Sequence, residues 1–194
     1  MLLRFTPPGI ELAYRNGVFP MYDDEHKRML WFQPDPRTII PLEGFHISRS
    51  LAKTLRQGRF LVRYNTDFMG VMRGCADREE GTWISEEFFR VYGELHRQGK
   101  AHSIEAWQEG RLVGGTYGVA LGGAFMAESM FHYETDASKV VLANLVQRLN
   151  ERGFTLLDCQ YLTPHLKSLG ALEIPNDLYL QRLNQATILP CEFD

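Results

Sequence analysis

The chain is poor in cysteine and shows no cysteine pattern: Cys75, Cys159 and Cys191 are odd in number, far apart and without a CxxC pair. Its histidines, His26, His46, His96, His102, His132 and His165, form no HExxH. A disulfide framework is therefore not expected, nor is a metal site, and a reducing, cytoplasmic setting fits best. No apolar run approaches the ~18 residues of a membrane span. The opening MLLRFTPPGIEL has only a few apolar residues before two prolines, which is no secretory leader. Excess charge is also lacking. The net value is −3, so any contact with nucleic acid must come from a local patch. A further absence marks such a patch, because no acidic residue stands between Glu43 and Asp67.

What is present is ordinary for a globular protein. With 194 residues, 44% hydrophobic and 23% charged, the chain can bury a real core as one domain with a small appendage. Thr6 before Pro7 caps a short helix, GIELAYRNG, that leads into VFPMY. The DDEHKR loop follows, and then Pro34, Pro36 and Pro41 make MLWFQPDPRTIIPL extended and irregular. Ser48 caps a helix that stops at Gly58, FLVRYN reads as a strand, and a helix covers 66–76. After the loop DREEGTWI, Ser85 begins a strong helix that Gly99 closes. HSIEAW, RLVGGTYGVAL and AFMAESMF form an antiparallel meander turning at Glu109-Gly110 and Gly122-Gly123. A helix over about 137–152, the strand FTLLDCQYL, a short helix opened by Thr163-Pro164, the segment LEIP and a helix over about 177–185 complete the chain. This order is α+β with one parallel pair. A small N-terminal portion, 1–63, precedes a larger part, 64–194.

Residues 124–160 read as the strand, crossover helix and strand of an acetyltransferase-like N-acyltransferase. Yet the connection FHYETDAS (131–138) lacks the glycines whose amides would hold the pyrophosphate of coenzyme A. Polar groups sit at the strand ends instead: Glu128 and Ser129 on the first, Asp158 and Gln160 on the second. Alternation places Glu128 and Met130 on one face, and Asp158 and Gln160 on one face. A carboxylate there can orient an amide whose oxygen accepts a hydrogen bond from an attacking amine, which is nucleophilic only when neutral. A buried polar pair serving fold specificity fits the same residues. Phe125, Met130 and Leu157 are placed to line an apolar pocket or to fill ordinary core. Arg49, Lys53 and Arg56 share one helix face, with Arg59 and Arg63 following; they suit phosphate contacts or a solvated face. Trp31, Phe32, Trp83 and Tyr92 stand beside loops or helix faces, where rings stack on bases for ~1–3 kcal/mol each or plug the core.

As a set, GVFP, LWFQPDPR, FHISRS, the run from Gly74 through EGTWI, AHSIEAW, LVGGTYGVA, ESMF, DASKV, LLDCQ and SLGALEIP resemble leucyl/phenylalanyl-tRNA–protein transferases. They occur in that family's order across nearly the whole chain. The resemblance implies an acetyltransferase-like (GNAT-type) domain that uses aminoacyl-tRNA as co-substrate, with no cofactor and no coenzyme A. Leu, also Phe and within the implied range Met, would move to proteins with N-terminal Arg or Lys, creating an N-degron. The enzyme would be a cytoplasmic monomer. Carried over by motif, Phe125, Met130 and Leu157 belong to the aminoacyl pocket, while Trp31, Phe32, Trp83 and Tyr92 handle the terminal adenosine. Glu128 and Ser129 hold polar parts of the aminoacyl-adenosine. Asp158 orients Gln160, whose oxygen attracts a proton of the incoming amine; Asp158 as direct general base is the competing account. Departures are the missing GLLALGGDL-like N-terminal stretch, FPMY for FPWF, Phe32 where Trp is common, and Thr163 where some relatives have Asn. The rival readings are an aminoacyl-tRNA-dependent transferase acting on a peptidoglycan precursor and an idle tRNA- or peptide-binding module. The first is usually larger, and the intact Glu128, Asp158 and Gln160 argue against the second.

Overall fold

Side-chain caps open several of the helices. In the computed structural model, which describes residues 4–23, 25–79 and 81–194, the Thr6 hydroxyl accepts from the Gly9 amide and opens α1 (Pro7–Arg15). Ser48 Oγ accepts from the Leu51 amide and opens α2 (Arg49–Gln57), which ends at Gly58 in the left-handed region. Asp67 caps α3 (Phe68–Ala76), and α4 (Glu86–Arg97) carries Glu86 and Glu87 in its first turn, against the positive end of the helix dipole. Residues 1–3 of the leader reading, Asp24 of the DDEHKR loop and Glu80 of the DREEGTWI loop lie outside the described residues.

The meander is β5 (Ala101–Gln108), β6 (Arg111–Leu121) and β7 (Ala124–His132), all antiparallel. Glu109 and Gly110 both have positive φ, 52° and 75°, as a tight two-residue hairpin turn requires. From β7 the chain crosses through α5 (Ala137–Glu151) to β8 (Leu156–Gln160), which runs parallel to β7. Then come α6 (Pro164–Ser168), β9 (Leu172–Ile174) and α7 (Asn176–Thr187). The fold is α+β, with the meander, crossover helix and parallel strand in the expected order.

The proline-rich stretch is more regular than expected. β1 (Phe19–Asp23) and β2 (Arg28–Phe32) form a separate hairpin, and β3 (Arg37–Ile39) inserts between β8 and β9. Pairing survives because Pro34, Pro36 and Pro41 fall between strands, where no ladder donor is needed. With β4 (Leu61–Tyr64) at one edge, the main sheet has the order β4-β5-β6-β7-β8-β3-β9. It therefore takes strands from both sides of residue 63, and β4 itself straddles that position.

Two hydrophobic layers cover the sheet. Ile10, Met72, Phe88, Tyr117, Met126 and Leu183 pack on one face, under α1, α3, α4 and α7. Phe125, Leu142, Leu145 and Leu157 pack on the other, under α5. Each such side chain contributes about 1.5–3 kcal/mol by leaving water. No helix among the described residues is long and apolar enough to cross a membrane.

Candidate active site

β7 and β8 pair only from Ala124↔Leu156 to Met126↔Asp158. Past that point β7 runs on to His132 while β8 ends at Gln160, and a cavity of about 480 Å³ opens between the strand ends. Trp83, Glu128, Ser129, Met130 and Gln160 line it, with Ala127, Cys159 and Leu166 supplying further apolar surface. A second, smaller cavity of about 90 Å³ lies against the hairpin and is lined by Phe19, Pro20 and Met21. Trp83, Glu128, Gln160 and Tyr161 belong to both cavities.

A β-bulge sets how Glu128 is presented. Tyr117 pairs with Ser129 and Gly118 with Ala127, which leaves Glu128 as the extra residue. Strict alternation fails there. Met126 faces the α1/α4 layer, yet Met130 packs with the α5 layer and Phe131 returns to the first. The expectation that Glu128 and Met130 share a face is thus corrected: Glu128 meets Tyr14 and Tyr92 of the first layer, opposite to Met130.

The Glu128 carboxyl accepts hydrogen bonds from the Tyr14 hydroxyl and, at 3.2 Å, from the Tyr92 hydroxyl. The two phenolic oxygens are themselves 2.6 Å apart. Burial pushes the Glu128 carboxyl up to about 7, outweighing the two tyrosine hydrogen bonds that pull it down. Burial and the Glu128 charge raise both phenols well above their ordinary range, so they remain neutral donors. Tyr92 is fully buried and stacked on Phe88 at 5.5 Å, so its ring presents no face to the cavity; it holds Glu128 instead.

Asp158 is also fully buried and lines neither cavity. Its two oxygens accept four hydrogen bonds: from Arg37 Nε at 2.8 Å, Arg37 Nη2 at 2.6 Å, the Tyr179 hydroxyl at 2.8 Å and the Gln160 amide at 3.0 Å. That fills a carboxylate's accepting capacity. Gln160, the next residue but one, adopts a left-handed φ of 60°. Its side chain projects into the cleft, and its buried Nε2 has no hydrogen-bond partner among the described residues.

The remaining expected residues divide. Phe125 and Leu157 are 0% and 1% exposed, fill the core under α5 and do not line the cavity. Trp83 reaches both cavities while resting edge-on against Phe88 at 5.1 Å. Phe32 stacks on Phe19 at 6.0 Å, and Trp31 lies 6.5 Å from Phe5, so both sit behind the cleft wall. Arg49, Lys53 and Arg56 are exposed, with no acidic partner among the described residues. Arg59 pairs with Glu134 at 2.7 Å, and Arg63 lies over the Trp107 ring. The Thr54 hydroxyl donates to Asp136 at 3.2 Å, tying α2 to the start of α5, where Ser138 lines the main cavity.

Four residues escaped the sequence reading: Arg37, Tyr179, Tyr14 and Arg78. Arg78 donates to Ser129 Oγ at 2.7 Å and to the Cys75 carbonyl at 3.0 Å. The apolar face of GIELAYR could have marked Tyr14 as buried. Nothing local marks Arg37, because its partner lies 121 residues away.

The cleft at the splayed strand ends thus holds the Glu128 carboxyl, raised by burial, beside the unpartnered Gln160 Nε2. Residues 4–35 match the family described as "Leucyl/phenylalanyl-tRNA protein transferase N-terminal domain", and residues 39–184 match "Leucyl/phenylalanyl-tRNA protein transferase". The leucyl/phenylalanyl-tRNA–protein transferase of Rubrobacter xylanophilus is 52% identical over 192 residues, covering 98% of this chain and 100% of that one. That of Gloeobacter violaceus is 49% identical over 193 residues, covering 100% of both. The chain belongs to the leucyl/phenylalanyl-tRNA–protein transferase family, and is an aminoacyltransferase. Solved structures are more distant. L-PGS from Bacillus licheniformis is 14% identical with a TM-score of 0.45, over 83% of this chain and 55% of that one. A GCN5-related N-acetyltransferase-like protein from Streptococcus suis is 16% identical with a TM-score of 0.39, over 85% and 62%.

Proposed function

We propose that this aminoacyltransferase moves Leu, and also Phe, from aminoacyl-tRNA to the α-amino group of proteins with N-terminal Arg or Lys, so creating an N-degron. The observation that carries the reading is one cleft combining an apolar lining around Met130 with the Glu128 carboxyl and the unpartnered Gln160 side-chain Nε2. The aminoacyl side chain would lie along Met130 and Leu166, with the terminal adenosine against Trp83. Trp31 and Phe32 would support the wall from behind. Glu128 and Ser129 would hold polar parts of the aminoacyl-adenosine, and the exposed Arg49, Lys53 and Arg56 would contact tRNA phosphates. The protein would work as a cytoplasmic monomer.

The ester arrives activated, so no coenzyme A or other cofactor is needed, and positioning can supply ~7–11 kcal/mol of barrier reduction. The α-ammonium of an acceptor has a pKa near ~7.7–8.0. Glu128, pushed up to about 7, is well matched to take that proton. Gln160 Oε1 then accepts a hydrogen bond from the neutral amine as it attacks the ester carbonyl. The new C–N bond forms, the ester C–O bond breaks, and the ribose hydroxyl leaves with a proton. Asp158, saturated by Arg37, Tyr179 and the Gln160 amide, acts by orientation and not as the base.

The test offers the protein leucyl-tRNA or acetyl-CoA, with a peptide bearing N-terminal Arg or N-terminal Met. Transfer is expected only from leucyl-tRNA and only to the Arg peptide. Acetyl transfer, or indifference to the first residue, would defeat the reading.

A further inference from the structure

Gln160 Nε2 has no hydrogen-bond partner among the described residues, so the placement of the side chain in the cleft leans on its main chain. That main chain is left-handed, a conformation that costs a non-glycine residue about 1–2 kcal/mol. Two things hold it there: the pairing of Thr38 with Gln160 across β3 and β8, and the 3.0 Å bond from the Gln160 amide to Asp158 Oδ1. Asp158 cannot turn away, because the Arg37 fork grips both its oxygens.

Arg37 is immobile in its turn. It is 0% exposed, its Nη1 donates to the Gly17 carbonyl at 2.9 Å, and its guanidinium lies 4.9 Å from the Phe19 ring and 4.5 Å from the Tyr179 ring. One side chain thus joins the turn after α1, helix α7 and the end of β8. Phe19 lines the smaller cavity together with Gln160, so the same guanidinium also sets the spacing across that cavity. Stability alone does not explain the pair, since burying two charges costs several kcal/mol per ion and an apolar replacement would serve the core as well.

We propose that Arg37, with Tyr179, is a positioning residue for the transfer reaction, acting through Asp158 on the main chain of Gln160. The proposal rests on the function given above. Neither residue touches substrate; their work is to keep the Gln160 side chain aimed into the cleft before the acceptor arrives.

The test uses Arg37→Lys, which keeps the charge but loses the fork, and Tyr179→Phe, which keeps the ring and deletes one hydrogen bond. Tyr179→Phe carries the test if the arginine variant does not fold. In the folded variants, hydrogen exchange at the Gln160 amide should speed up about ten-fold or more while α5 amides stay protected. In leucyl transfer, kcat should fall about ten-fold or more with KM for leucyl-tRNA changed less than about two-fold, and guanidinium ion should restore part of the loss in Arg37→Ala. Unchanged Gln160 exchange in a folded variant, or a loss confined to KM, would overturn the proposal. Wild-type protein that fails to transfer Leu would defeat the functional reading instead, and the exchange measurement would still decide whether Arg37 holds Gln160.

Discussion

Glu128 shows how one side chain acquires its chemistry from its surroundings. Its carboxyl titrates at about 7 in the fold against an ordinary ~4.3, so the fold favours the protonated form. The unfolded chain releases this proton first as pH rises. The resulting destabilisation is absent below about pH 4, grows by about 1.4 kcal/mol per unit, and is complete above about pH 7. Wild-type Tm should therefore drop relative to that of Glu128→Gln between about pH 5 and about pH 8. Parallel Tm profiles for the two proteins would contradict this. Gln160 makes the complementary case. Its side-chain Nε2 bonds to nothing among the described residues, so Gln160→Ala should nearly keep its Tm and its tRNA affinity while kcat falls by about ten-fold or more. Weaker tRNA binding with unaltered kcat would assign Gln160 to the donor's grip instead.

At the scale of elements, α2 and β7 carry separable tasks. The α2 stripe of Arg49, Lys53 and Arg56 is exposed and lacks acidic partners among the described residues, so its charge is available to a polyanion. Replacing all three by Gln should weaken tRNA binding and flatten its dependence on log salt by ~0.7–0.9 for each phosphate no longer neutralised, with Tm held. An unchanged salt slope would make the stripe a solvated face. In β7, the bulge at Glu128 turns one strand into a two-sided reader: the carboxyl goes to the tyrosines of one layer and Met130 to the other. Strict alternation had promised both on one side. A single unpaired residue reverses that phase, and no residue type in AFMAESMF marks where the bulge falls.

Over the whole molecule, the sheet separates core from site in a way that hydrophobicity does not. Phe125 and Met130 are both apolar residues of β7, yet Phe125 is sealed under α5 while Met130 lines the cavity. Phe125→Ala should cost about 3–5 kcal/mol of stability, and thermal unfolding will show it. Met130→Ala should leave most of the stability and instead alter the preference between leucyl- and phenylalanyl-tRNA, measured by competing the two donors. A donor preference altered by Phe125→Ala in folded protein would place the pocket elsewhere.

Much of this molecule is written locally. Thr6, Ser48 and the Glu109-Gly110 turn place element ends because capping and turn geometry involve residues only a few positions apart. The meander, the crossover helix and the parallel strand follow from periodicity, and the strand ends bearing Glu128, Asp158 and Gln160 follow with them. Sequence by itself thus determined the α+β class, the family and part of the cleft lining, Trp83, Glu128, Ser129, Met130 and Gln160. Tertiary structure alone decided what those side chains can do. It brought Arg37 and Tyr179 onto Asp158, Tyr14 and Tyr92 onto Glu128, and took Phe125 and Leu157 out of the pocket and into the core. The reason is physical: hydrogen-bond saturation, burial and the pKa shift that burial causes depend on neighbours many residues distant, and no local pattern records them.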